Sequence, residues 1–219
     1  MSIATGTSLL IIVATSISSI RSHHKKSNAD IELLALWSPF IVFGVIMGAL
    51  ISTRIGGLFA SGVFGVVAIL VALNMLFRVK KVALWSSLPS KFIQGTLATI
   101  VGTISVVMGI GGGTLGVPLL IAFNYPAHKA VGTSAAFGFV ISVPGTLLMF
   151  LLANTPNDAS AGTYGFINFI AVALIMPLSL IAAPVGVYLS SKIDDVMLKR
   201  LFAVFLCLSG SRMVYQSLF

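Results

Sequence analysis

Charge is what this sequence has least of. Asp, Glu, Lys and Arg together make 8% of its 219 residues, against about a quarter in an average soluble domain. A water-soluble chain of this length cannot cover its surface with so few ionic groups, which excludes a soluble enzyme and a disordered tail. Acid is scarcer still, with five Asp and Glu in all. Asp30 and Glu32 stand at the edge of an apolar run, Asp158 in a loop and Asp194–Asp195 in a turn. None lies within an apolar run, which argues against an intramembrane carboxylate proton relay and against a cation site built on acids. Cysteine occurs once, at Cys207, so an intramolecular disulfide is impossible and a Cys-based metal site is not expected. Histidine occurs three times, at His23, His24 and His128, always outside the apolar runs. Ser61, in Ala60-Ser61-Gly62, therefore has no base to make it a nucleophile, and Phe59 stands where an intramembrane serine protease motif needs glycine. We expect no catalytic residue, no metal site and no cofactor.

What the chain has in excess is apolar surface: 58% hydrophobic residues and a mean hydropathy of +1.09. That composition belongs to an all-α polytopic membrane protein, with the lipid bilayer as its first partner. The net charge of +8 would point to nucleic acid in a soluble chain. Here the basic residues fill short gaps between apolar runs and read as anchors at one membrane face, so no nucleic-acid partner is expected. Nothing basic precedes the first apolar stretch, so no secretory signal is expected either.

The apolar runs are Ile3–Ile20, Leu33–Thr53, Gly56–Phe77, Phe92–Tyr125, Val131–Ala153, Phe166–Leu189 and Leu201 to about Ser217. The first is rich in hydroxyls and should face protein or water rather than lipid. Phe92–Tyr125 holds 34 residues without a charge. As one straight helix it would be roughly 50 Å long, against a hydrocarbon core of about 30 Å. Gly109-Ile110-Gly111-Gly112-Gly113 interrupts it, and Pro118 follows. We expect a broken or re-entrant hairpin, one helix to about Gly109 and a shorter one from about Thr114. The Lys and Arg residues of the loops test this. A single crossing by Phe92–Tyr125 would leave seven on one side and five on the other, whereas an excursion that returns leaves eleven and one. The second count fits the positive-inside rule, and it sets the loop with His128 and Lys129 and the link Arg78–Lys91 in the cytoplasm.

A shift of 138 residues lays Leu33–Phe77 on Ala171–Tyr215 without gaps, with ten identities in 45 positions, where this composition would give roughly three or four by chance. A shift of 126 lays Gly6-Thr7-Ser8 on Gly132-Thr133-Ser134. With the charge-derived topology, the two halves are inverted repeats forming one membrane domain: residues 1–91, three spans and a basic linker, and residues 92–219, the glycine-rich hairpin plus three spans. Transporters built this way bind their solute between the halves near the midplane.

Glycines at the start of a helix let backbone N–H groups gather round an anion without a formal charge, and the helix dipole adds to the attraction. Close packing of small residues is the competing reading of the same glycines. The two Gly-Thr-Ser triplets read as helix starts whose hydroxyls cap orphan N–H groups or face one site from both halves. Lys129 reads as a solvated lysine near the mouth, and Arg212, inside the last apolar run, as one that snorkels to the interface.

Gly109–Leu120 (GIGGGTLGVPLL) followed by His128–Ser134 (HKAVGTS) resembles the sulfite exporter TauE/SafE family. Gly6–Leu10 (GTSLL), the basic histidine-containing loop and Leu189–Ile193 (LSSKI) extend the resemblance over the whole chain. It implies a multi-pass bacterial inner-membrane protein that exports or takes up sulfite, a sulfonate or another small anion. The anion-site residues it implies are Gly111, Gly112, Gly113, Thr114, Pro118, Gly132, Thr133 and Ser134, with Thr7 and Ser8 opposite. The family also has a glycine-rich hairpin before the first Gly-Thr-Ser triplet, which residues 1–219 do not contain. The resemblance therefore implies a partner segment upstream or a homo-oligomer, and it leaves a non-transporting assembly factor or partner subunit as the alternative function.

Overall fold

The computed structural model describes residues 2–24, 29–52, 62, 65–66, 68–70, 72–73, 76, 88–151, 155–156 and 159–218. The expected span Gly56–Phe77 is described only at isolated helical positions. Ser61, Asp158, Lys25, Lys26 and the link from Arg78 to Ser87 lie outside the described residues. The helices are α1 (Ser2–His24), α2 (Ile31–Ser52), α3 (Lys91–Met108), α4 (Gly112–Ala122), α5 (Ala127–Leu151), α6 (Phe169–Ser190) and α7 (Asp195–Leu218). A two-residue hairpin of β1 (Thr163–Tyr164) and β2 (Ile167–Asn168) precedes α6. Helices dominate because a chain in hydrocarbon must satisfy every backbone polar group within its own segment. Ile3–Ser22, Ile31–Ser52, Lys91–Met108, Ala127–Leu151 and Phe169–Ser190 are each long and apolar enough to cross a membrane. The 11 residues of α4 reach only about 16 Å and cannot.

The boundaries correct several expectations. α4 starts at Gly112 rather than Thr114. α5 starts at Ala127, so His128 and Lys129 stand on its first turn instead of in a loop. Both Gly-Thr-Ser triplets lie in the second turn of their helices, not at the start, and so cannot cap them. The run expected from Phe166 gives its first residues to the β-hairpin. Shifting α2 by 138 residues lands on both bounds of α6, and shifting α1 by 126 falls within α5.

Contacts between helices give their relative directions. Trp37 bonds Gln94, and Gly48 lies against Thr103 and Val106, so α2 and α3 run parallel. Asp30 meets Thr133 and Trp37 stacks on Phe137, so α5 runs parallel to them. Gly112 meets Phe137 and Gly138 while Gly116 meets Ser134, which makes α4 antiparallel to α5. Leu9 touches Gly145 and Ser16 touches Gly138, so α1 is antiparallel to α5. Thr7 meets Asn168 and Ser18 meets Leu180, so α6 runs with α1. α3 and α4 thus go in and come back. Arg21, Lys91, Lys129 and Lys192 gather at one end of the bundle, and the described link at the other, around the β-hairpin, carries no Lys or Arg.

The hydroxyl-rich α1 is held between α5, α6 and the β-hairpin, so it faces protein as expected. The core is the seam of α2, α3 and α5. Trp37 is fully buried there, stacked on Phe137 with centroids 5.2 Å apart. Its indole N–H donates to Gln94 Oε1 at 2.9 Å, and Gln94 Nε2 donates in turn to the Pro89 carbonyl at 2.8 Å. This chain of bonds satisfies the polar atoms of a buried indole and amide at the start of α3.

These directions are checked with single cysteines in a Cys207→Ser background. Ser90→Cys and Lys129→Cys are expected to react with a membrane-impermeant thiol reagent from one face only, and Ala161→Cys only from the other. Reaction of Ser90→Cys and Lys129→Cys from opposite faces would overturn the returning hairpin.

Candidate functional site

The break between α3 and α4 follows from its glycines. Gly109 ends α3 with φ of 66°, in the left-handed region that favours glycine. Its N–H donates to the Val106 carbonyl, and the Ile110 N–H reaches back to the Ser105 carbonyl at 3.0 Å. That pairing closes the end of α3 on itself. Gly111 then takes an extended conformation and provides no side-chain cap for α4. The first N–H groups of α4 therefore carry the partial positive charge of the helix start with no side chain neutralising it.

Around this start the two adjacent glycines have different reasons to be glycine. Gly112 is buried, and a Cβ there would come within 2.5 Å of Phe137 Cβ and 2.7 Å of the Gly138 nitrogen. It lets α4 lie directly on α5, so the packing reading holds for this residue. A Cβ on Gly113 would meet none of the described residues within 4 Å, so among them open space lies beside the second residue of α4. Gly111 lies against Ile12 of α1 and Gly138 of α5. Thr114 is half-buried. Pro118 is buried within α4 and has no N–H to offer the Thr114 carbonyl, which weakens this short helix at its middle.

The second triplet lies further along. Gly132, Thr133 and Ser134 are all buried on α5, with Ser134 against Gly116 one turn into α4. Ser134 Oγ is buried without a hydrogen-bond partner among the described residues, as are Ser105 Oγ on α3 and Thr146 Oγ1 on α5. Buried hydroxyls left this way are uncommon in folded proteins. Ser8 is half-buried on α1.

The two triplets do not converge. From the register of α1 on α5, Thr7 and Thr133 stand about 20 Å apart along the bundle. Each threonine instead accepts a backbone N–H from the residue that caps a helix of the opposite half. The Asp30 N–H donates to Thr133 Oγ1 at 3.0 Å, and Asp30 Oδ1 accepts the Leu33 N–H at 2.9 Å. The Asn168 N–H donates to Thr7 Oγ1 at 2.9 Å, and Asn168 Oδ1 accepts the Ala171 N–H at 2.8 Å. Asp30 and Asn168 are 138 residues apart, and Thr7 and Thr133 are 126 apart, so the two clusters are copies of one arrangement at opposite ends. Sequence reasoning passed over Asp30 as a boundary residue. Extending the 138-residue shift three places before Leu33 would have paired it with Asn168.

The clusters differ in charge. Asp30 Oδ2 accepts the Tyr125 hydroxyl from the turn between α4 and α5. The Leu33 amide, then the Tyr125 hydroxyl, then the Lys129 charge hold the Asp30 carboxyl below its ordinary 3.8, outweighing partial burial. Burial, and then Asp30 itself, push the Tyr125 hydroxyl up. At the other end Asn168 is neutral and donates to Ser160 Oγ, the Ala161 carbonyl and Thr163 Oγ1. Lys129 and Arg212 are both exposed.

A family model described as "Sulfite exporter TauE/SafE" matches residues 1–213. A probable membrane transporter protein of Haemophilus influenzae is 30% identical over 209 residues, covering 94% of this chain and 78% of the relative. One of Methanocaldococcus jannaschii is 28% identical, covering 94% and 77%. One of Bacillus subtilis is 23% identical, covering 99% and 82%. No solved structure matches the chain significantly.

Because its carboxyl pKa is depressed in the fold, the Asp30–Tyr125 bond adds stability above pH 3.8 and loses it as pH falls through the lower folded value. Tyr125→Phe is expected to cost about 1 kcal/mol at pH 7 once partial exposure is discounted. Thermal unfolding in detergent should show that difference shrinking below pH 3.8.

Proposed function

The chain belongs to the sulfite exporter TauE/SafE family, a multi-pass membrane transporter family, and on that premise we propose that it carries a small anion, sulfite or an organosulfonate, by alternating access between inverted repeats. The observation that carries this is the start of α4. A half-helix begins inside the bundle against α1 and α5, without a side-chain cap, and open space adjoins Gly113. An anion needs N–H groups and dipole there, and the one described acidic residue within a candidate membrane-spanning helix, Glu32, stands on the first turn of α2 at the end of the bundle. Gly111, Gly113 and Thr114 would contact the anion. Gly112 and Pro118 shape the half-helix, and Ser134 supplies a hydroxyl without a partner among the described residues. Gly132 and Ser8 line the same helices, and the threonines of the two triplets hold helices in place. The gathering of cations at one end of the bundle supports a cytoplasmic position for that end, and the family resemblance supports a multi-pass location in the cell inner membrane.

The test is uptake of labelled sulfite into proteoliposomes. Gly113→Val fills open space rather than a packed contact. It is expected to leave the folded protein intact and to weaken sulfite transport at least tenfold. Wild-type transport by a folded Gly113→Val protein would overturn the site. Gly112→Val, by contrast, should fail by losing the α4–α5 contact.

A second reading, a partner subunit or non-transporting assembly factor, is favoured by one face of α6. On α2 the contact with α3 is made at Gly44 and Gly48, where the α3 backbone comes too close for any side chain. The 138-residue shift places Ala182 and Gly186 at those positions of α6. Both are exposed, and a Cβ on Gly186 would meet none of the described residues within 4 Å. This face is built as the α2 face is, to seat a helical hairpin, whether from an upstream segment or from a second copy. Residues 1–219 alone are then expected to transport weakly. Robust sulfite uptake by isolated monomers in proteoliposomes would make the face a lipid contact and remove this reading.

A further inference from the structure

The two threonine clusters are the features that the anion site leaves unexplained. Each joins the halves of the molecule. Thr133 of the second half holds the cap of α2 in the first, and Thr7 of the first half holds the cap of α6 in the second. Each sits at one end of the bundle, one beside Lys129 and the other beside the β-hairpin. Each also ties in a connecting segment: Tyr125 from the α4–α5 turn at one end, and Ser160, Ala161 and Thr163 at the other. Both clusters are closed in this structure. Thr133 is fully buried, and Thr7, at 7% exposure, is nearly so.

We propose that Thr7 and Thr133 are positioning residues of two related latches, one per end, and that opening the bundle toward either side requires release of the latch at that end alone. The bond is suited to this. A hydroxyl accepting one backbone N–H contributes modestly when formed, and water can replace it once the end opens. The cap bonds from Asp30 and Asn168 to their own helices remain when the latch parts, so α2 and α6 move as intact helices. The groups facing Asp30 are Tyr125 from the α4–α5 turn and Lys129 from α5, with Glu32 on its own helix. Because the carboxyl is ionised down to below pH 3.8, the latch at that end is not a sensor of neutral pH. The native Asn168 in the equivalent place shows that the latch geometry does not need the charge.

The latches rest on the alternating-access reading, but their test does not depend on transport. The reporter is Gly113→Cys in a Cys207→Ser background, where the new side chain has room. Its reaction with a membrane-impermeant maleimide is followed from each face of sealed vesicles of known orientation. Thr133→Val is expected to raise labelling at least fivefold from the face bearing Lys129 and to leave the other face unchanged. Thr7→Val is expected to do the reverse. Thr133→Ser, Thr7→Ser and Asp30→Asn keep the acceptor or the cap and should label as the parent does. Equal opening of both faces by either valine variant would mean general loosening and overturn the proposal, as would unchanged labelling in both. If the valine variants do not fold, the pairs Asp30→Cys with Thr133→Cys and Asn168→Cys with Thr7→Cys replace them, oxidised to disulfides before the reporter is labelled. Each cross-link must then suppress labelling from its own face only, and labelling that ignores both cross-links overturns the proposal. Absence of sulfite transport by the protein with Gly113 intact, while the latch results hold, would count against the substrate and not against the latches.

Discussion

A polar backbone group in hydrocarbon finds no water, so a helix can break inside a membrane only where protein closes round the break. The rest of this structure is arranged about that constraint. α3 closes its own end through the left-handed Gly109 and the return bond from Ile110 to Ser105. α4 cannot close its start in the same way, because the first N–H groups of any helix point outward along its axis. The bundle packs α1 and α5 beside those groups and, among the described residues, leaves open space beside Gly113. A shielded set of donors without a side-chain acceptor suits an anion, and that is the basis of the site proposed for the solute.

Building the hairpin so that it returns has a second consequence. It reverses the direction of everything after it, so that α5 runs opposite to its counterpart α1 and α6 opposite to its counterpart α2. The same local device, a threonine on one helix holding the capping residue of another, therefore appears once at each end. Had the hairpin crossed once, the two copies would lie at the same end and could not distinguish one side of the membrane from the other. Asp30 at one end and Asn168 at the other show how far the copies have diverged. One is tied to a tyrosine and a lysine, the other to the hydroxyls and carbonyl of the loop before α6.

The halves also differ in what covers them. α2 is buried against α3 along a glycine seam, and the equivalent face of α6 carries small residues that no described residue covers at Gly186. Small residues gain nothing from facing lipid, and in membranes they serve to bring helix backbones together.

Composition and charge alone determined that this is an all-α membrane protein with a broken segment between Phe92 and Tyr125. Hydropathy and Lys/Arg placement report directly on the solvent each segment meets. The glycine run marked the break to within three residues, since left-handed backbone favours glycine and little else. The repeat was legible as two shifts, 138 and 126 residues, and the helix bounds follow them. What those shifts could not say is which residues touch. Thr7 and Thr133 looked like two hydroxyls facing one site because like sequence suggests like surroundings. Only the packed structure shows them about 20 Å apart, each turned to the opposite half, because inversion sends equivalent residues to opposite ends. Gly112 and Gly113 are indistinguishable as letters. The tertiary structure separates them, since α5 lies against one and open space against the other, and a contact between helices depends on where their axes cross, which no local pattern encodes.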